Sequence, residues 1–202
     1  MEFTIKDKDV FFKIRRLDKY MANHKGYIAG GCFKNIFTDT KIKDLDIFFN
    51  NVEDFNQALE YYRGNTDEWV FIYENKNAVC FKNKITKVKI ELIRSMFLPV
   101  GDMLKSFDFT IVKFAYFKDY SNDGVEYKVM YHPYFFEDLV NKKLVIDGKI
   151  EDIPFPVGTF NRSYKYQTYG FGMCRETKVK MVQLVQNQNP EDIDQNLYFG
   201  FD

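Results

Sequence analysis

Two carboxylates, Asp44 and Asp46, stand one residue apart at the head of the apolar run Leu45-Asp46-Ile47-Phe48-Phe49. On a strand their side chains leave the same face, roughly 6–7 Å apart along the chain, while Leu45 and Ile47 leave the other face. Like charges at that spacing repel unless a cation sits between them, and an all-oxygen donor set suits Mg²⁺ or Mn²⁺. Upstream, Gly30-Gly31 breaks the apolar run Tyr27-Ile28-Ala29. Two glycines lower the steric cost of a tight turn and let a bulky ligand approach the backbone. An Asp-x-Asp by itself is most often the solvated end of an edge strand. With the double glycine upstream and apolar strands on both sides, it points to a phosphate cradle beside a metal site.

The elements that must position these residues follow from periodicity. Tyr27–Ala29 reads as a strand, Cys32–Phe37 as one or two helical turns, and 44–49 as the next strand. Val10, Ile14, Leu17 and Met21 recur at helical spacing, which predicts an amphipathic helix over 9–21. Val52, Phe55, Leu59 and Tyr62 predict another over 51–63, stopped at Gly64-Asn65. Residues 69–73 and 78–81 read as strands joined by a turn at 74–77. In Lys87–Ile93, Val88, Ile90 and Leu92 face one side and Lys89 and Glu91 the other; Glu91 is either a third carboxylate or half of a cross-strand pair with Lys87 or Lys89. Residues 106–116 alternate like a strand, and 125–131 would pair with them through a turn at Ser121-Asn122-Asp123-Gly124. A short helix is expected over 135–144. After a Pro- and Gly-containing break at 155–158, a helix is expected over 159–171 with Thr159 as N-cap, and another over 177–186. Arg162 and Lys165, three apart on the first of these, can face one ligand.

The stretch from Gly30 to Asp46 resembles the opening motif of the nucleotidyltransferase superfamily, most closely the head domain of CCA-adding enzymes and bacterial poly(A) polymerases. That motif is Gly-Gly, a short helix bearing Arg-Asp, then Asp-x-Asp on the next strand. Gly30-Gly31 and Asp44-Leu45-Asp46 match it, and Lys34-Asn35 stands where the family has Arg-Asp. Asp108-Phe109-Thr110-Ile111 is similar to the family's second motif, Arg-Arg-Asp-Phe-Thr, without the two arginines. Asp138-Leu139 and the lysines after it resemble the stretch before the family's neck helices, and Arg162, Lys165 and Tyr166 resemble its Arg-x-x-Arg-Phe helix. The family's base-reading Glu-Asp-x-x-Arg is replaced by Phe155-Pro156-Val157-Gly158-Thr159.

The resemblance implies an α+β fold with a mixed sheet flanked by helices, residues 1–150 forming the nucleotidyltransferase-like domain and 151–202 a small helical appendage that completes the nucleotide site. It implies transfer of NMP from an NTP to an acceptor hydroxyl, with release of pyrophosphate. Asp44, Asp46 and Glu91 would be catalytic and hold the metal, with Asp108 the rival third ligand. Gly30, Gly31, Lys34, Asn35, Asp108, Arg162 and Lys165 would bind the nucleotide. The acceptor would be an RNA end, such as a tRNA-like 3′ end, or else a protein or small molecule. The substituted motifs also admit a non-catalytic nucleotide- or RNA-binding module.

Composition bounds these readings. At 202 residues, 46% hydrophobic and 18% aromatic, the chain can bury a sizeable core and is not a disordered polymer. Charge is balanced at 29 basic and 29 acidic residues, so a strongly basic nucleic-acid binder is not indicated. Cys32, Cys80 and Cys174 lie far apart, without metal-ligand spacing, and fit a reduced, cytoplasmic protein. No apolar run has membrane length.

Overall fold

The structure is a computed structural model that describes residues 2–121, 124–186 and 188–189. Ten strands occur among them: β1 (Thr4–Asp7), β2 (Tyr27–Ala29), β3 (Asp44–Phe49), β4 (Trp69–Glu74), β5 (Ala78–Asn83), β6 (Lys89–Phe97), β7 (Phe114–Asp119), β8 (Glu126–Tyr131), β9 (Lys143–Leu144) and β10 (Gly172–Met173). The helices are α1 (Asp18–Met21), α2 (Cys32–Phe37), α3 (Val52–Gly64), α4 (Val100–Ser106), α5 (Phe135–Val140), α6 (Pro156–Thr168) and α7 (Arg175–Gln186).

Among the described residues, eight strands form one mixed sheet in the order β1-β8-β7-β2-β3-β6-β5-β4. Its pairings are antiparallel except β3 with β6, which is parallel. A parallel pair needs a long crossover, and α3, β4 and β5 provide it. Helix α3 is capped by Asn51, whose side chain accepts from the Asp54 N–H at 2.8 Å. Its buried face, Phe55, Ala58 and Tyr62, covers the side of the sheet to which Leu45, Ile47, Ile90 and Leu92 belong. One hydrophobic core runs from Ile14 to Leu184, so α6 and α7 share it with the sheet. β9 and β10 join the two parts as a short parallel pair.

Three expected elements are formed differently, and a fourth, the helix expected over 135–144, stops at Val140 because Lys142 turns to φ +52 and Lys143–Leu144 pairs as β9. The helix expected over 9–21 is two 3₁₀ stretches, Lys8–Val10 and Phe12–Leu17, followed by the single turn α1. Phe11 between them is extended and inserts among Phe37, Phe114, Tyr131 and Phe136, so aromatic packing overrides helical propensity. The strand expected over 106–116 begins only at Phe114. Asp108 and Thr110 are buried polar residues that seek side-chain partners, and Thr110–Val112 winds into a 3₁₀ turn in which Thr110 donates to Asp138 at 2.6 Å. The third is α6. It starts at Pro156, not Thr159, because proline at the first helical position loses no intrahelical bond. The expected break at 155–158 is therefore its first turn, and Thr159 lies inside, fully buried. β7 and β8 pair as expected, but Asn122 and Asp123 of their turn lie outside the described residues. β1 and α4 have no counterpart in the sequence reading.

Candidate active site

Strand β3 carries Asp44 and Asp46 on the face of the sheet opposite Leu45 and Ile47. In the parallel ladder Asp44 lies beside Lys89 and Asp46 beside Glu91, so Glu91 joins the two aspartates on one face. All three carboxyls are pushed above the usual range, chiefly by burial. Asp46 is raised furthest and also feels Asp44 and Glu91, while Lys165 pulls in the other direction. The three carboxyls are thus crowded, partly dehydrated and electrostatically frustrated when ionised.

Glu91 does not pair with Lys87 or Lys89. Its Oε1 accepts a 2.6 Å hydrogen bond from the Tyr73 hydroxyl on the edge strand β4. Burial and this bond keep the Tyr73 phenol protonated well above its ordinary range. A bulge brings Tyr73 there. Phe71 pairs with Phe81 and Tyr73 with Cys80, so Ile72 is the extra residue. Without it, Phe71 and Tyr73 would share the α3 side. From sequence Tyr73 is only the end of a strand over 69–73, since nothing local signals the bulge that turns it toward the site.

The double glycine divides its labour. Gly30 has φ +97, a region that side chains with a Cβ rarely enter, and its N–H donates to the Phe114 carbonyl at 3.0 Å. A Cβ there would lie 3.8 Å from Asp46 Oδ2, so the turn brings the backbone against the acidic pair without a clash. Gly31 is ordinary helical backbone (φ −65), and a Cβ on it would stand 3.6 Å from the Tyr166 hydroxyl. Only Gly30 is therefore required by conformation. Gly30→Ala is expected to cost roughly 1–2 kcal/mol of stability, and Gly31→Ala well under that. Chemical denaturation of the two variants checks it; equal losses would overturn the assignment.

A cationic group faces the acidic one. Lys34 in α2 is buried and sits 4.7 Å from the centre of the Tyr169 ring. Burial, then Lys142, Lys165 and Lys43, lower its pKa to about 8. Among the described residues none of these four lysines has a carboxylate partner within ion-pair distance. A buried, crowded ammonium group is stabilised by an arriving polyanion. Asn35 is turned away: it accepts from Lys34 and donates to the Lys41 carbonyl at 3.0 Å, bracing the loop.

Arg162 and Lys165 do not act alike. Arg162 is joined to Asp108, Nη2 to Oδ2 at 2.6 Å and Nε to Oδ2 at 2.8 Å. Asp108 also accepts from Thr159 at 3.0 Å and from the Phe109 N–H at 2.8 Å. Buried and surrounded by donors, Asp108 belongs to this α6 fastening and not to the carboxylate cluster. Tyr166, also buried, feels both Asp108 and Asp46 and so lies between the two groups. Lys165, one turn on, faces Asp44 and Asp46 electrostatically.

Asp44 and Asp46 make an oxygen-only pair whose repulsion a divalent cation would relieve, and in that respect they fit Mg²⁺ or Mn²⁺. Among the described residues no three His, Cys, Asp or Glu side chains are drawn together as a ready metal cluster. The fit is to a two-carboxylate site, with Glu91 beside it and engaged by Tyr73.

Residues 2–142 match the Gabija anti-defense 2 (Gad2) family. The chain belongs to that family. No curated protein matches it. Among solved structures, the fold is similar to a CCA-adding enzyme in complex with ATP (TM-score 0.65, 16% identity, 98% of this chain and 51% of that one). It is also similar to a CCA-adding enzyme with CTP (TM-score 0.64, 14% identity, 98% and 50%). A third is the Thermotoga maritima CCA-adding enzyme complexed with tRNA (TM-score 0.60, 17% identity, 98% and 50%). This Gad2 chain thus has a nucleotidyltransferase-like fold and spans about half the length of those proteins. No helix among the described residues is long and apolar enough to cross a membrane.

Proposed function

We propose that this Gad2 chain is a metal-dependent nucleotidyltransferase that moves NMP from an NTP to an acceptor hydroxyl and releases pyrophosphate. The observation that carries the reading is the face shared by Asp44, Asp46 and Glu91, set against the lysine group around Lys34. Asp44 and Asp46 would hold Mg²⁺ or Mn²⁺, which supplies neutralisation of charge on the phosphates. Glu91 would take the acceptor's proton. Gly30 brings the backbone close to the acidic pair. Lys34 and Lys165 would neutralise the β- and γ-phosphates, Lys34 regaining its full charge on doing so. Helix α6, fastened by Asp108–Arg162, would close the site.

The external acceptor is set by groups outside the chain. The solved structures of similar fold are complexes with ATP, CTP or tRNA, which supports NTP as donor; an RNA end, proteins and small molecules are the acceptors to test. The family name supports a role in opposing the Gabija defence, and we place the transfer at the centre of that role. Three free thiols fit a reducing cytoplasm.

Incubation with each labelled NTP, Mg²⁺ and cell lysate, followed by separation into RNA, protein and small molecules, tests the reading; label in none of the fractions would overturn it. Selectivity among bases is expected to be weak. The first turn of α6 offers Phe155, which is exposed, with Pro156, Val157 and Gly158, and none of these side chains reads a base edge by hydrogen bonding. Stacking tolerates every base. Affinities for ATP, CTP, GTP and UTP should differ by about ten- to thirtyfold at most, roughly 1–2 kcal/mol. A preference beyond a hundredfold in a binding titration would show that a base reader exists.

A further inference from the structure

The Tyr73 hydroxyl lies against the carboxylate face of the sheet. It donates at 2.6 Å to Glu91, the carboxylate beside Asp46 in the ladder, and a one-residue bulge re-aims it onto that face. Such bulges are commonly retained to turn a side chain toward a site. Its phenolic oxygen is nucleophilic once a base takes the proton. Tyr166 also brings a hydroxyl near the turn, but no carboxylate is hydrogen-bonded to it among the described residues.

We propose that Tyr73 is itself a nucleotide acceptor, so that the chain modifies its own edge strand with one NMP. This rests on the nucleotidyl-transfer reading above. Tyr73 Oη attacks the α-phosphorus of an NTP, its proton passes to the Glu91 carboxylate, and the bond between the α-phosphorus and the oxygen bridging to the β-phosphorus breaks. Pyrophosphate leaves with that electron pair, and a tyrosyl phosphodiester remains. No oxidant or further reactant is required. Tyr73 is half-buried on β4, the last strand of the sheet, and Ile72 beside it is exposed.

The purified chain is incubated with each NTP in Mg²⁺ or Mn²⁺, then analysed by intact mass and by peptide mapping. The expected result is a mass increase of one NMP, on the peptide that carries Tyr73, released by phosphodiesterase and stable to acid as a phosphoramidate is not. It should be absent in Tyr73→Phe and in Asp46→Asn, with both variants shown to be folded by thermal melting. Nucleotide on another residue and undiminished in Tyr73→Phe overturns the proposal, as does labelling of external RNA or protein with Tyr73 left bare; either leaves nucleotidyl transfer standing. No transfer to the chain or to any lysate fraction overturns both.

Discussion

Replacing Asp46 by Asn is expected to abolish nucleotidyl transfer, by three orders of magnitude or about 4 kcal/mol of transition-state stabilisation, while making the metal-free protein more stable. The two effects share a cause. Burial first, then Asp44 and Glu91, hold the Asp46 carboxyl well above its ordinary range. A carboxyl whose folded pKa exceeds its unfolded value favours the folded state only while it is protonated. Its penalty is absent below the unfolded range, near pH 4, and grows as pH rises through the raised folded values of the cluster. Asp46→Asn removes that penalty. Its melting temperature should therefore exceed the wild type's by a few degrees at neutral pH, and the difference should vanish toward pH 4. Mg²⁺ or Mn²⁺ should raise the melting temperature of the wild type and have little effect on the variant. Thermal melts across pH and metal concentration, beside a transfer assay, check all three. Full activity in Asp46→Asn would sink the proposed mechanism; lower stability at neutral pH would sink the electrostatic account.

The largest expected loss of stability comes from Arg162→Ala. Asp108 is 4% exposed, and Arg162 contacts its Oδ2 through two nitrogens. Removing the guanidinium leaves a buried carboxylate with only neutral donors, the Thr159 hydroxyl and the Phe109 N–H. Breaking a buried pair from one side costs about 3–5 kcal/mol, on the order of 10 °C in melting temperature for a chain of this size. Because the penalty is that of the stranded charge, the double variant Asp108→Ala/Arg162→Ala should lose less than the two single losses added together. Activity should fall too, since the pair fastens α6, which carries Lys165 and Tyr166. A melting temperature for Arg162→Ala within a degree or two of wild type would refute the fastening role.

Much of the frame around the site is written in local pattern. Alternation placed Asp44 and Asp46 on one face and Glu91 with Lys89 on another strand's polar face, because a strand's period of two assigns faces without knowledge of its neighbours. The glycine pair marked the turn before α2, and the apolar stripe from Val52 to Tyr62 with the stop at Gly64-Asn65 bracketed α3 to within a residue or two. Local pattern failed where buried polar or aromatic groups took their partners from afar. Phe11 left its helix for an aromatic cluster, Asp108 and Thr110 bent a strand-like stretch, and Pro156 opened a helix where its neighbours suggested a break.

The residue types and their spacing along the chain settled that two acids and a glycine turn would meet at one end of a strand, since that geometry spans fewer than twenty residues. Which other groups join them depended on strand order. The parallel pairing of β3 with β6 set Glu91 beside Asp46, across more than forty residues. The bulge in β4 turned Tyr73 onto the same face, and the return of α6 across the sheet separated Arg162, bound to Asp108, from Lys165, left facing the aspartates. Register and crossover are chosen by the burial of the whole core, a sum over many distant apolar contacts, and no short window of sequence contains that sum.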